Sequence, residues 1–255
     1  RFQIGSHERE KAVISVANMR NDMLGAYQAS TQHTAGETNL ASNVTVGDTA
    51  PASKVGNADD FNITGLLGTA TIDVAAGNTA KDIVELVNDK FDSTGVSATA
   101  TTTVKLQVES SVGAMQGTGK VVSMNITGKN STAQSITAQI GIGASKATSD
   151  LTDLRDQFNA YSATTGISAQ LSADKSSLML VQDEGLDIVI DGVDFAGVAN
   201  ANTTKFTATS FDQAQATPGS AIEVLDEDYA AATSDSFRVS GIVTFHSSQS
   251  FSIVP

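Results

Sequence analysis

Thr94-Gly95-Val96-Ser97-Ala98 returns further along the chain as Thr165-Gly166-Ile167-Ser168-Ala169, and each stretch joins an amphipathic helix to an alternating strand. Before the first, Ile83, Leu86, Val87 and Phe91 fall at i, i+3, i+4 and i+8, one face of a helix. Asn78 or Thr79 caps that helix, with Asp82 as a carboxylate in its first turn. Before the second, Leu151, Leu154, Phe158 and Tyr161 make the same stripe. Gly95 and Gly166 end the two helices, since glycine tolerates the positive φ of a helix C-terminus. After the first turn, Val96, Ala98, Ala100, Thr102, Val104, Leu106 and Val108 share one parity, which excludes a helix and specifies a long strand or a hairpin.

The repeated unit therefore reads strand, helix, turn, strand. Its first copy runs from Gly68 to about Val108 and opens on the alternation Ala70-Thr71-Ile72-Asp73-Val74. Its second runs from about Lys120 to Ile190 and opens on Val122, Met124 and Ile126. The second copy reads as having a longer helix region and an additional alternating stretch, Ala133 to Gly143. It closes on strands Leu178–Val181 and Leu186–Ile190 around an Asp183-Glu184-Gly185 turn, followed by an Asp191-Gly192 tight turn into Val193-Asp194-Phe195.

Outside the repeat, Phe2 to Met23 reads as short strand, turn, then strand or short helix, with Ala12–Ala17 β-rich and the charged His7-Glu8-Arg9-Glu10-Lys11 before it a solvated turn. Residues 25–60 are poor in large apolar side chains and read as an extended connection stopped at Pro51. Phe195 to Ser234 is Ala/Thr/Ser-rich, with Glu223, Asp226, Glu227 and Asp228 as a solvated turn. Phe237–Phe245 and Phe251–Val254 close the chain as strands. The expected fold is α+β, β-dominated: two copies of the module in outer domains plus a short β-rich stem formed by both chain ends. The expected division is 1–45 with 237–255 as stem, 60–115 and 116–200 as the two modules, and 201–236 as a return connection. Antiparallel pairing of Phe2–Val16 with Phe237–Phe251 is the expected closure.

Of the 255 residues 40% are hydrophobic, which supports a folded core. The formal net charge is −13, and no run of four basic residues occurs, so phosphate backbones and anionic membranes are disfavoured as partners. Cysteine is absent, which excludes disulfides, thiolate metal sites and cysteine nucleophiles. No apolar run approaches the ~20 residues that span a bilayer, and Arg1–Gly5 has no apolar leader core. The start without Met and the end at Ile253-Val254-Pro255 read as those of a portion of a longer chain.

Catalytic motifs fail on spacing. The histidines are His7, His33 and His246; His7-Glu8 would open a zinc-peptidase helix, but Lys11 stands where the second histidine is needed. Gly117-Thr118-Gly119-Lys120 and Gly128-Lys129-Asn130 lack the Ser/Thr after Lys that a phosphate loop requires, so they read as hairpin turns. Gly141-Ile142-Gly143 lacks the third glycine of a dinucleotide fingerprint. Asp183, Glu184, Asp187, Asp191 and Asp194 offer hard ligands, and Asp187 and Asp191 share strand parity, but the order is not that of an EF-hand. The expectation is no enzyme, with no catalytic, cofactor-binding or metal residues and no cofactor.

Phe2-Gln3-Ile4-Gly5, the stretch Ala12–Arg20 ending in Leu24-Gly25, and Val243–Ile253 resemble segments of bacterial flagellin. The repeat is similar to the α/β module inserted in the outer part of many flagellins and hook-associated proteins. Ser6-His7-Glu8-Arg9 replaces the family's usual small residues and makes that hairpin unusually charged. The resemblance implies a structural subunit of the flagellar filament: secreted, extracellular and serving motility, often O-glycosylated. In that family flanking terminal helices polymerise the filament; neither helix is in this sequence. Neighbouring flagellin subunits, a sheath or adjacent filaments are the implied contacts, without nucleic acid or membrane, and the isolated portion is expected to be monomeric at micromolar concentration. Two alternatives stand beside this one: a hook-associated or cap protein with the same module, and a surface adhesin or carbohydrate-binding module. The 5% aromatic content and absent Trp weigh against sugar stacking.

Overall fold

A computed structural model describes residues 2–3, 11–12, 27–31, 44–57, 59–110, 120–142, 149–195, 204–211, 218–224 and 235–255. In sequence order the elements are β1 Phe2–Gln3, β2 Lys11–Ala12, β3 Tyr27–Ser30, β4 Val44–Gly47, β5 Phe61–Thr64 and β6 Thr69–Ile72. Then follow α1 Ala80–Asn88, α2 Phe91–Thr94, β7 Ser97–Ser110, β8 Lys120–Thr127, β9 Gln134–Ile142 and β10 Ser149–Asp150. Next come α3 Thr152–Ala160, α4 Ser162–Thr165, β11 Ile167–Leu171, β12 Ser177–Gln182 and β13 Ile188–Phe195. The last elements are β14 Thr204–Phe211, β15 Pro218–Val224, β16 Ser236–Val239, β17 Ile242–Ser247 and β18 Ser252–Val254. The class is α+β and β-dominated, and the paired strands are antiparallel.

Helix α1 forms as its sequence requires. Thr79 and Asp82 make a reciprocal capping box, and Ala80, Ile83 and Val87 bury its inner face. Phe91 departs from the expected stripe. α1 stops at Asn88, the backbone re-enters a short helical turn at Phe91, and the ring is left about half exposed. Both helix regions end on an αL glycine, Gly95 and Gly166, each at φ 71°. The second region is not longer than the first: both are nine residues followed by four.

Hydrogen bonds from side chains repeat with the elements. Asn88 takes both backbone groups of Ala98, as Asn159 does those of Ala169. Thr94 Oγ1 donates to Lys90 O and accepts from Val96 N; Thr165 Oγ1 does the same with Tyr161 O and Ile167 N.

Strand pairing shifts the start of the repeat upstream. β6-β5-β18 in one unit matches β9-β8-β13 in the other. Phe61-Asn62-Ile63-Thr64-Gly65 thereby corresponds to Met124-Asn125-Ile126-Thr127-Gly128, so the first unit begins near Phe61 rather than Gly68. β9 is then the counterpart of β6 made longer, and Ala133 to Gly143 is not an addition; Gly143 lies outside the described residues. Similarly β17 lies against β7 as β12 lies against β11: Ala98 faces Phe245, and Ala169 faces Leu180.

The two units are consequently nested. Every strand of unit two, β8 to β13, lies in the sequence between β7 and β17 of unit one. β7 is the shared spine. Val96, Ala98 and Ala100 belong to a core with Phe61, Ile63, Ile83, Val87 and Phe245. Val104, Leu106 and Val108 belong to another with Ile126, Leu154, Phe158, Leu180, Ile190 and Phe206. Thr102, buried between the two apolar sets, donates to Leu186 O at 2.7 Å.

Five further expectations change. Within 25–60 the sequence forms β3 and β4, which pair with β17 and β16. Those strands have their other flanks on β7 and β13, so Phe237–Phe251 is not closed by Phe2–Val16; Phe2–Gln3 pairs instead with Lys11–Ala12. Asp191-Gly192 is not a tight turn but a bulge inside β13, Gly192 at φ 61°. The Asp183–Gly185 turn joins no hairpin: β12 and β13 lie in different sheets, and the turn leads from one sheet to the other. The return segment 201–236 contains β14, which runs along β7, and β15.

Candidate functional site

Of the acidic residues singled out in the second unit, Glu184 lies where the units meet. Gly185 occupies φ 76°, and a Cβ there would stand 2.3 Å from Ala100 Cβ, so only glycine lets this turn lie on β7. Its carbonyl accepts from Lys81 N at 3.1 Å in the first turn of α1. Gly241, between β16 and β17, closes the contact from the other side, its Cβ direction filled by Thr102 Oγ1 and Ala80 Cβ.

Glu184 joins both units. Its two carboxylate oxygens pair with Lys81 Nζ at 2.7 Å and Lys129 Nζ at 2.8 Å. The hydrogen bonds from Lys129 and Lys81 hold its carboxyl at about 2, below its ordinary 4.5. The bridge is partly exposed and screened, so its contribution to stability is small.

Asp187 is the opposite case. It is 5% exposed and pairs with Arg238 Nη1 at 2.9 Å, while Arg238 Nε donates to Pro51 O at 2.6 Å. Burial pushes the Asp187 carboxyl up, against the pull of Arg238. Asp187 Oδ1 and Gln182 Nε2 are buried without hydrogen-bond partners.

Asp191 belongs to a third arrangement. Ser236 Oγ lies 2.8 Å from Asp191 Oδ1 and 2.9 Å from Asp235 Oδ1, with one proton to donate to either, and it accepts from Gly192 N. Burial, and then the carboxylates of Asp48 and Asp191, push the Asp235 carboxyl up, while Ser236 opposes them. Asp183 is exposed and Asp194 half-buried. The five acidic residues thus divide among separate partners, and among the described residues no three His, Cys, Asp or Glu side chains converge as metal ligands.

The other candidates resolve into local structure. Asn130 Oδ1 accepts from Gly128 N and its Nδ2 donates to Ile126 O and Thr132 O, so the Gly128-Lys129-Asn130 stretch is a braced turn. Gly141 lies in β9. His246 Nε2 sits 3.1 Å from Thr99 Oγ1 on the neighbouring strand. His7, Glu8, His33, residues 117–119 and the acidic run 226–228 lie outside the described residues. Sequence reasoning missed Arg238, Lys81 and Thr102. The signal for the first was a lone cation inside the apolar strand Ser236-Phe237-Arg238-Val239, which calls for a buried counter-charge. Chemically the junction positions and clamps; its side chains include no nucleophile with a base and an orienting group.

Residues 60–112 match the family model described as the flagellin hook IN motif, and that span runs from β5 through β7. The crystal structure of the D1-D2-D3 domains of the flagellar cap protein FliD from Escherichia coli is similar at 12% identity, with a TM-score of 0.21. That similarity covers 88% of this sequence, which spans 59% of the cap protein. No curated protein matches this sequence.

Proposed function

We propose that this protein is the outer, solvent-facing part of a flagellin-type filament subunit. The observation that carries the reading is the flagellin hook IN motif over residues 60–112, the mark of a flagellar component. Its register on β5 to β7 agrees with it, since the matched span is the part of unit one that precedes the insertion. Unit two, with the same helix, αL glycine and paired Asn and Thr bonds, is a second module of that type.

In this role the molecule performs no chemistry. The nested units present an acidic Ser/Thr-rich surface outside the cell. Its partners are other subunits of the same assembly. No described helix is long and apolar enough to cross a membrane.

A hook-associated or cap protein is the second reading, favoured by the word hook in the matched motif's description. Immunogold labelling of flagella with antibody to residues 120–195 separates the two. Label along the whole filament is the expected result; label confined to the tip or the hook junction supports the second reading; cell-surface label without flagella overturns both.

A further inference from the structure

The two units treat the same end differently. Seven large apolar side chains are exposed among the described residues, and four of them, Tyr27, Leu66, Leu67 and Phe91, gather around Gly95. Leu67 Cγ lies 3.6 Å from the Cβ direction of Gly95, and Gly95 N donates to Phe91 O. Ser247 Oγ donates to Gly95 O at 2.9 Å and faces Tyr27 across β17 and β3. Leu66 is the most exposed of the four, at 69%.

Unit two is the internal control. Lys129 lies over Gly166 as Leu67 lies over Gly95, Asn130 and Ser131 follow it in the turn, and Ser162 opens α4 as Phe91 opens α2. That polar end is already seated: Lys129 and Gly185 bring it against unit one through Glu184, Lys81 and Ala100. The fold ties the polar version of this end to unit one through Glu184 and leaves the apolar version without such a tie.

We propose that the Gly95 end of unit one is a self-association surface whose occupant is the same end of a second copy of this protein, related by a two-fold axis near Leu66. Charge selects this occupant and this place. A molecule of net charge −13 repels its own copies over most of its surface. At the Gly95 end the turn Gly65–Thr69 is uncharged, and Phe91 stands between exposed Lys90 and Asp92. A two-fold contact sets the Lys90 of each copy against the Asp92 of the other, and an apolar patch so flanked is self-complementary. Four side chains do not reach the roughly 800 Å² per partner of a stable interface. The contact is therefore weak in free solution and acts where copies are held at high local concentration. That setting in a flagellar array rests on the proposed function; the self-association does not.

The absence of cysteine supplies the test. Sedimentation velocity from about 10 µM to about 1 mM should show mass rising with concentration, and Leu66→Asp should weaken the association at least about tenfold. Leu66→Cys should form disulfide dimers under mild oxidation, while Ser131→Cys, in the corresponding turn of unit two, should not. Both positions are exposed, and an unchanged circular dichroism melt verifies folding. A wild-type mass constant to about 1 mM overturns the proposal, as does equal cross-linking at residues 66 and 131. Either result leaves the filament reading standing, and label absent from flagella leaves the self-association standing.

Discussion

Asn88 and Asn159 sit on the solvent side of their helices, yet each satisfies the backbone N–H and the backbone carbonyl of one residue in the strand that follows the αL glycine. The strand residues they reach, Ala98 and Ala169, are buried, so removal of the amide leaves two backbone groups to find other partners. Asn159→Ala should lower the free energy of unfolding by about 1–3 kcal/mol. Asn159→Asp, which keeps an acceptor but no donor, should fall between the two, and urea titration measures both. Gly185→Ala tests a different limit. It forces an L side chain to φ 76° with its Cβ on Ala100, and each of those costs about 1–3 kcal/mol; a melt within a degree of wild type would show that the turn relocates freely. The glycines that end the helices were legible, because Thr-Gly followed by a β-branched residue occurs twice in this pattern. The asparagines were not, because a polar residue on a helix face has no visible reason to bind a strand ten residues on.

At the scale of elements the spine β7 was the clearest sequence signal, since its alternation from Val96 to Val108 is buried throughout on one face. Period two specifies a face and says nothing of the neighbour, which is why β12 and β13 looked like a hairpin while lying in separate sheets. The connection between them carries the pH response of the junction. Glu184 is held at about 2 when folded and returns to its ordinary 4.5 when unfolded, so its stabilisation is present above about pH 4.5 and is lost as pH falls toward 2. Asp187 acts in the other sense: its folded carboxyl lies above 3.8, so it favours the folded state in acid and loses that contribution as pH rises through its folded value. The wild-type melting temperature should therefore drop more than that of Glu184→Gln between about pH 5 and about pH 2.5. Identical acid limbs would show that the Lys81–Glu184–Lys129 bridge contributes nothing.

At the scale of the molecule the nesting of one module within another was invisible to a reading that moves residue by residue, because the strands completing unit one, β17 and β18, follow the entire second unit. Nesting determines how the molecule unfolds. An inserted unit joined by flexible linkers melts by itself, but here β7 enters both cores without a break, with Ala100 in one and Val104 in the other. Lys81 of α1 adds a backbone bond to Gly185 O and an ion pair with Glu184 across the same junction. Loss of either core therefore leaves β7 with half of its buried face open, and the two should unfold together. Leu106→Ala in one core and Ile83→Ala in the other should each cost about 2–5 kcal/mol and shift one common transition. In a background with Tyr27→Phe and Tyr229→Phe, far-ultraviolet circular dichroism and the fluorescence of Tyr161, which packs on the unit-two core, should report the same midpoint in both variants. If Leu106→Ala lowers the Tyr161 midpoint while most of the dichroism signal melts at the wild-type temperature, β7 is a hinge between independent domains and not a shared spine.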